Sequence, residues 1–288
     1  MCDTSMQYRI LLLAPIVCLV LSVLMPSSAL AHQPRLVDAD QITVVAPAVS
    51  KAYYGTLSGT PHTYTITTAT PLMLYAGILM PYAEDSRKDV SAEIRRGDEL
   101  IAVIGGQDAA WTKMFEFFGR SYYWDGGDYR GEIAPGTYTI VVQSPGNDRK
   151  YSLAIGELES FSGTEIVNAV RLIPLLKRDF FNESPIGFIL SPFGWGYILS
   201  MYALACIAGF AYRYMVQTIA RGTVRGVTRN IGMLDRAVRL TLAVGLLLLA
   251  ITTTWNPWLI FFSGFALFEA LFSWCGLYAA IGKNTCAA

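Results

Sequence analysis

The chain has 288 residues and is 53% hydrophobic but only 15% charged, short of the quarter or so common in soluble domains. That excludes intrinsic disorder and argues against a simple soluble enzyme. Formal charge is zero, yet residues 32–160 carry 11 basic and 16 acidic side chains while residues 186–288 carry 7 and 2. Two halves of opposite charge and different texture point to separate compartments.

Residues 1–31 read as an export signal. Arg9 closes a short polar start, Ile10 to Met25 is apolar, and Ala29-Leu30-Ala31 fits a small-x-small cleavage site before His32. The apolar run is short for a spanning helix, which needs about 20 residues.

Residues 32–160 predict an exported, all-β domain, a sandwich or jelly roll. Tyr64 and Ile66 alternate with Thr63, Thr65 and Thr67, as in a strand with one wet face. Similar runs are Leu72–Leu79, Val90–Ile94, Leu100–Ile104, Tyr129–Ile133, Thr137–Val142 and Tyr151–Ile155. Gly, Pro, Asn and Asp separate many of them, as in Gly105-Gly106 and Asp125-Gly126-Gly127-Asp128. Seven or eight strands at this spacing favour a sandwich over βαβ units.

Two stretches carry a family likeness. Ala134-Pro135-Gly136-Thr137-Tyr138-Thr139-Ile140-Val141-Val142, a turn, then Tyr151-Ser152-Leu153-Ala154-Ile155 resembles the last hairpin of bacterial pre-peptidase C-terminal domains. Tyr54-Gly55-Thr56-Leu57 and His62-Thr63-Tyr64-Thr65-Ile66 sit where that family opens its sandwich, so the resemblance covers residues 50–156. It implies a secreted, non-catalytic β-sandwich acting as a binding or accessory module.

Residues 161–185 read as a linker with a short interfacial helix. Ile166, Val167, Val170 and Ile173 recur at helical spacing, and Lys177, Arg178, Phe180 and Phe181 suit a membrane surface. The first transmembrane helix is expected within 186–215, where Phe193 to Met215 is apolar. Arg213 to Arg239 holds six Arg and one acid, Asp235, which makes the loop 216–236 cytoplasmic by the positive-inside rule. Residues 237–288 follow as a transmembrane hairpin and tail. Its spans are Ala237–Trp255, 19 residues or about 28 Å as a helix, and Pro257–Trp274. The expectation is three transmembrane helices in a bacterial inner membrane, with the β domain periplasmic and the C-terminus cytoplasmic.

The hairpin has its own likeness. Arg229-Asn230-Ile231-Gly232-Met233-Leu234-Asp235-Arg236-Ala237-Val238-Arg239 and, later, Cys275-Gly276-Leu277-Tyr278-Ala279-Ala280-Ile281-Gly282-Lys283-Asn284-Thr285-Cys286 resemble the ends of the YgaP-like two-helix membrane domain. The match spans residues 229–286, with Gly276 where that family usually has Pro. It implies a small membrane module often fused to other domains, with no activity to carry over.

Several side chains are candidates for chemistry. Cys275 and Cys286 would lie about 16 Å apart on a continuous helix, beyond disulfide range. A bend at Gly276 and Gly282 would bring them together, and the choice lies between packing roles and thiol, sulfur or metal handling. Glu269 is the one acid in the transmembrane hairpin, and its partner is an Arg, the Thr252–Thr254 run or a neighbouring subunit, unless it is neutral. His32 and His62 are the only histidines. Cleavage before His32 would let its amine and ring chelate Cu(II), with His62 as a third nitrogen. The segment Trp111 to Tyr129 is rich in aromatic rings that would serve as core or as a sugar- or protein-binding surface.

There is no phosphate-binding Gly-rich loop, no His-Glu-x-x-His and no Gly-x-Ser-x-Gly. The resulting expectation is a non-enzymatic, membrane-anchored binding or accessory protein without a cofactor. Its partners would be the lipid bilayer, a membrane protein or second copy, and an envelope glycan or protein, not nucleic acid. Copper or thiol handling is the alternative.

Overall fold

The computed structural model describes residues 32–83, 87–160, 162–219 and 229–286. The expected signal peptide and residues 220–228 of the Arg-rich loop lie outside the described residues. Contacts divide the chain at Ser184/Pro185 into a β unit and a helical unit.

Among the described residues, eleven strands build the β unit: β1 Gln33–Leu36, β2 Gln41–Thr43, β3 Lys51–Thr56, β4 His62–Thr68, β5 Leu72–Pro81, β6 Ser91–Arg96, β7 Glu99–Gly105, β8 Thr112–Glu116, β9 Ser121–Ile133, β10 Gly136–Gln143 and β11 Lys150–Ile155. They form a six-stranded sheet, β1-β3-β11-β5-β9-β8, and a five-stranded sheet, β2-β4-β10-β6-β7. Among these strands the edge pairs β1–β3 and β2–β4 are the parallel ones. The expected alternation appears in β4, where His62, Tyr64 and Ile66 are buried and Thr63, Thr65 and Thr67 are not. Tyr138, Ile140 and Val142 of β10 face the same core, joined by Leu74, Ile78, Tyr151 and Leu153 from the six-stranded sheet. Sealing these rings and branched chains from water, at roughly 1.5–3 kcal/mol for each large apolar side chain, is what holds the sheets face to face.

Asp125-Gly126-Gly127-Asp128, expected as a turn, instead runs through the middle of the 13-residue β9. The strand bulges opposite Gly77–Leu79, which absorbs the glycines without reversing the chain. Gly126 is required by packing, since a Cβ there would lie 2.6 Å from the Trp111 ring.

Residues 161–185 differ from the expected linker. Ser162 caps helix α1, Gly163–Leu175, by accepting from the Glu165 backbone N–H. A π-helical turn, Leu176–Phe180, continues it. Phe180 packs edge-on to Tyr54 and Phe181 edge-on to Tyr123, with centroids 5.2 and 5.0 Å apart. Lys177, expected at a membrane surface, is 2% exposed. It donates to the Arg120 carbonyl, to Ser121 Oγ and, at 2.7 Å, to Glu183. The segment therefore covers the outer side of the six-stranded sheet, which explains why β11 is buried on both faces from Tyr151 to Ile155.

The helical unit starts with a 3-10 turn, Pro185–Leu190, followed by α2 Pro192–Ile219, α3 Met233–Thr252, α4 Pro257–Phe272 and α5 Gly276–Ala280. Among the described residues, only α2 is both long and apolar enough to cross a membrane unaided. The second expected span begins as α3 with Asp235, Arg236 and Arg239 in its first turns. The third, α4, has 16 residues, about 24 Å of helix against a hydrocarbon core of about 30 Å. Small residues set the packing: Gly209 of α2 meets the Phe268 ring, and Gly264 of α4 meets Tyr202 and Ala205. Ser263 joins three helices, sharing a 2.7 Å hydrogen bond with the Tyr202 hydroxyl and donating to the Ala243 carbonyl at 2.7 Å.

Candidate functional site

The aromatic segment splits between core and surface. Tyr123 is buried, and Trp111, Trp124 and Tyr129 pack against the core, whereas Phe115, Phe117 and Tyr122 are exposed. Register explains the surface set, because Phe115 of β8 pairs with Tyr122 of β9 at the edge of the six-stranded sheet. Their rings stand 4.9 Å apart, Tyr122 lies 6.1 Å from Tyr82, and Tyr82 lies 4.9 Å from Trp124. The result is a row of four rings.

Cations cover that row. Lys113 Nζ is 3.8 Å from the Tyr82 centroid and 4.5 Å from that of Tyr122. Lys88 Nζ is 4.0 Å from Trp124, and the Arg120 guanidinium is 5.5 Å from Phe115. Each contact sits in the range where a ring quadrupole attracts a cation. Lys88 also borders a cleft of about 490 Å³ lined by Arg87, Asp89, Gln107 and Trp111. There the Asp89 carboxylate, 4% exposed, accepts from Arg149 Nε at 3.1 Å. Rings for stacking beside charged and amide groups for directional bonds are what a polar polymer such as a glycan requires. Tyr82, Lys88 and Lys113 were not singled out from the sequence. A cation two residues from an aromatic, as in Lys113–Phe115, is the local trace of this surface.

The two histidines lie at separate positions. His32 Nδ1 is 2.5 Å from Ser50 Oγ. His62 Nδ1 is 2.6 Å from the Tyr151 hydroxyl, which meets the Tyr64 hydroxyl at 2.7 Å, and His62 Nε2 is 3.5 Å from Asp40. Among the described residues the rings share no hydrogen-bond partner. Burial lowers the pKa of both, opposed by Glu159 at His32 and by Asp40 at His62. Burial also raises the Tyr64 and Tyr151 phenols. Among the described residues no three His, Cys, Asp or Glu side chains gather as metal ligands do.

At the C-terminal end, the chain bends twice between the candidate cysteines. Helix α4 stops at Phe272, with Ser273 at φ 53°, and α5 ends before Gly282 at φ 69°. Asn230 closes both bends. Its side chain donates to the Cys275 carbonyl and accepts from the Cys275 N–H, each at 2.8 Å, and its carbonyl accepts from the Thr285 N–H. Cys275 is buried, Cys286 is partly exposed, and both are free thiols. Glu269 pairs with Arg239 Nη1 at 2.8 Å. Of the partners considered for Glu269, an Arg on the neighbouring helix is the one in contact. Sequence spacing held no trace of the Asn230 clamp, because its partners lie 45 and 55 residues away.

Residues 227–288 match the family described as the inner membrane protein YgaP-like, transmembrane domain. The helical unit therefore carries a YgaP-like domain, and a lipid bilayer is its environment. Among solved structures, the β region is similar to the pre-peptidase C-terminal domain of a collagenase from Bacillus anthracis. That likeness has 13% identity over 43% of this chain and 96% of that one, with a TM-score of 0.26. No curated protein matches the chain.

Proposed function

We propose that the chain is a membrane-anchored binding or accessory protein without catalytic activity, whose β-sandwich faces the periplasm and engages an acidic glycan of the cell envelope. In this reading residues 1–31 direct export, α2, α3 and α4 all cross the inner membrane, and the Arg-rich loop and C-terminus are cytoplasmic. The observation that carries the ligand is the row Phe115, Tyr122, Tyr82 and Trp124 with Lys113, Lys88 and Arg120 over it. A surface that combines stacking rings with cations favours a sugar polymer bearing carboxylates over a neutral one. The domain containing it is acidic as a whole, so the cations here are a local concentration.

The test uses the full chain in mild detergent. Soluble peptidoglycan fragments should be retained by the wild type and released by added salt, and Trp124→Ala with Tyr122→Ala should abolish retention. Retention that survives both substitutions would overturn the assignment of this face. A native mass spectrum of the same preparation reports the mature terminus, partners and metal. One bound copper on a chain starting at His32 would replace this reading with metal handling.

A further inference from the structure

The opposite edge of the six-stranded sheet holds a different kind of site. β1 ends that sheet and β2 ends the other, and a cavity of about 510 Å³ opens there, lined by Gln33 and Arg35 of β1, Thr43 of β2, Lys51 and Tyr53 of β3, and Glu165 of α1. Its volume is that of a small-ligand site.

Lys51 is the unusual member. A lysine is almost never this buried without a charge partner, yet it is 8% exposed. Its ammonium donates to two carbonyls, Val45 at 2.7 Å and Ala46 at 2.9 Å, and it makes no ion pair among the described residues. An ammonium has three protons, so one remains for another acceptor. Presenting those carbonyls takes the backbone through Ala46 at φ 48°, a left-handed conformation uncommon outside glycine, Asn and Asp. The neighbouring carboxylate is already committed, because Glu165 accepts two hydrogen bonds from Arg35 at 2.8 and 2.9 Å. Arg35 also holds Gln33 Oε1 at 2.7 Å. The wall therefore carries two cations and one anion. Burial and the nearby Arg35 charge lower the Lys51 pKa against the pull of Glu165, the response of an ammonium short of negative charge. Tyr53 stands two residues along β3 and so on the same face, and burial raises its phenol pKa, which keeps the hydroxyl a donor.

We infer that this cavity binds the carboxylate of a small organic acid with an apolar body. Lys51 supplies the charge and its third proton, the Tyr53 hydroxyl a second hydrogen bond, and Val45 and Val49 the apolar wall. The site is independent of the aromatic row, which occupies the other edge of the sheet.

Isothermal titration of the full chain in mild detergent, with N-acetyl-leucine and its uncharged amide, decides the matter. The acid should bind about tenfold or more tightly than the amide, the loss of one charge-assisted hydrogen bond. Lys51→Met should abolish binding of the acid, and Tyr53→Phe should weaken it severalfold while leaving the unfolding temperature of the β unit unchanged. Equal binding of acid and amide, no binding of the acid, or undiminished binding by Lys51→Met would overturn the proposal. If Lys51→Met fails to fold, the acid-to-amide ratio on the wild type and the Tyr53→Phe affinity decide it.

Discussion

In the β unit the side chains sealed between the sheets are mostly apolar or aromatic, and the His62 imidazole and the Tyr151 and Tyr64 hydroxyls among them are joined in a short chain. The helical unit also buries large rings such as Trp255, Phe268 and Trp274, but its surface and its buried polar groups differ. Apolar side chains such as Leu242, Leu249, Phe262 and Leu271 point outward, while Ser263, Glu269 and Asn230 are turned in. Water explains the first arrangement, because driving apolar surface out of it is what folds a sandwich. In lipid that force is missing between helices, and association relies on small residues and on polar groups that find partners only across the bundle. One chain thus holds two solutions to burial, each suited to its own solvent.

Substitutions can separate the two. The largest effect is expected from Leu153→Ala on β11, which is fully buried. Leaving a cavity there should cost about 2–5 kcal/mol, read as a lower urea midpoint for the β unit with no change in the helical content retained in detergent. Asn230→Ala should cost the helical unit about 2–4 kcal/mol, since it strands the carbonyl and the N–H of Cys275 together. The same change should speed iodoacetamide labelling of Cys275, which is expected to be slow in the wild type and slower than Cys286. Fast labelling of Cys275 in the wild type would contradict its burial.

Lys177→Met tests the segment joining α1 to the sheet. It removes three hydrogen bonds from one ammonium, and with Glu183 partly exposed the expected loss is about 2–3 kcal/mol. Proteolysis near residue 180 should rise with it. Ser263→Ala should cost only about 0.6–1.7 kcal/mol, the range for hydrogen bonds between helices in a membrane, which would measure how little a single polar link contributes where several are present.

The smallest effect is a pH dependence. The folded-state pKa of His62 is lowered by burial, so between that value and the ordinary one of about 6.5 the unfolded chain binds more protons and stability rises with pH. The contribution is complete above about pH 6.5 and is lost as pH falls toward the folded-state value. The urea midpoint of the β unit should drop between pH 7 and pH 5, and His62→Gln should flatten that drop. His32, lowered in the same direction, should leave a residual slope. A midpoint unchanged over this range in the wild type would contradict the assignment.

Much of the sandwich was legible because its strands have one wet face. The Thr and Tyr alternation of β4 and the Tyr138-Ile140-Val142 stripe of β10 define a period of two without any tertiary information. β1 and β2, four and three residues long, are too short to show a period, whereas β11 was expected at Tyr151–Ile155 and only the covering of its second face by helix α1 and the π turn was not legible. The aspartates and glycines of β9 imitate a turn, and only the bulge and the Trp111 ring explain their place in a strand. In the candidate site the exposed rings were visible as a cluster, but which rings were core depended on the β8–β9 register. The Lys51 site was not legible, because a lone lysine in a strand gives no sign of being buried.

The strand order also dictates how the chain is made. β11 lies between β3 and β5, and β10 between β4 and β6, so the central strands of both sheets are the last to leave the ribosome. Until residue 143 has emerged β4 and β6, and until residue 155 β3 and β5, have unmet backbone groups on the sides facing the centre, and closure of the six-stranded sheet requires pairings across about a hundred residues. Such non-local closure is slow, and open strand edges attract other chains meanwhile. A polypeptide truncated before residue 136 should accumulate as aggregate or remain bound to holdase chaperones, whereas one truncated after residue 184 should release a soluble, protease-resistant domain.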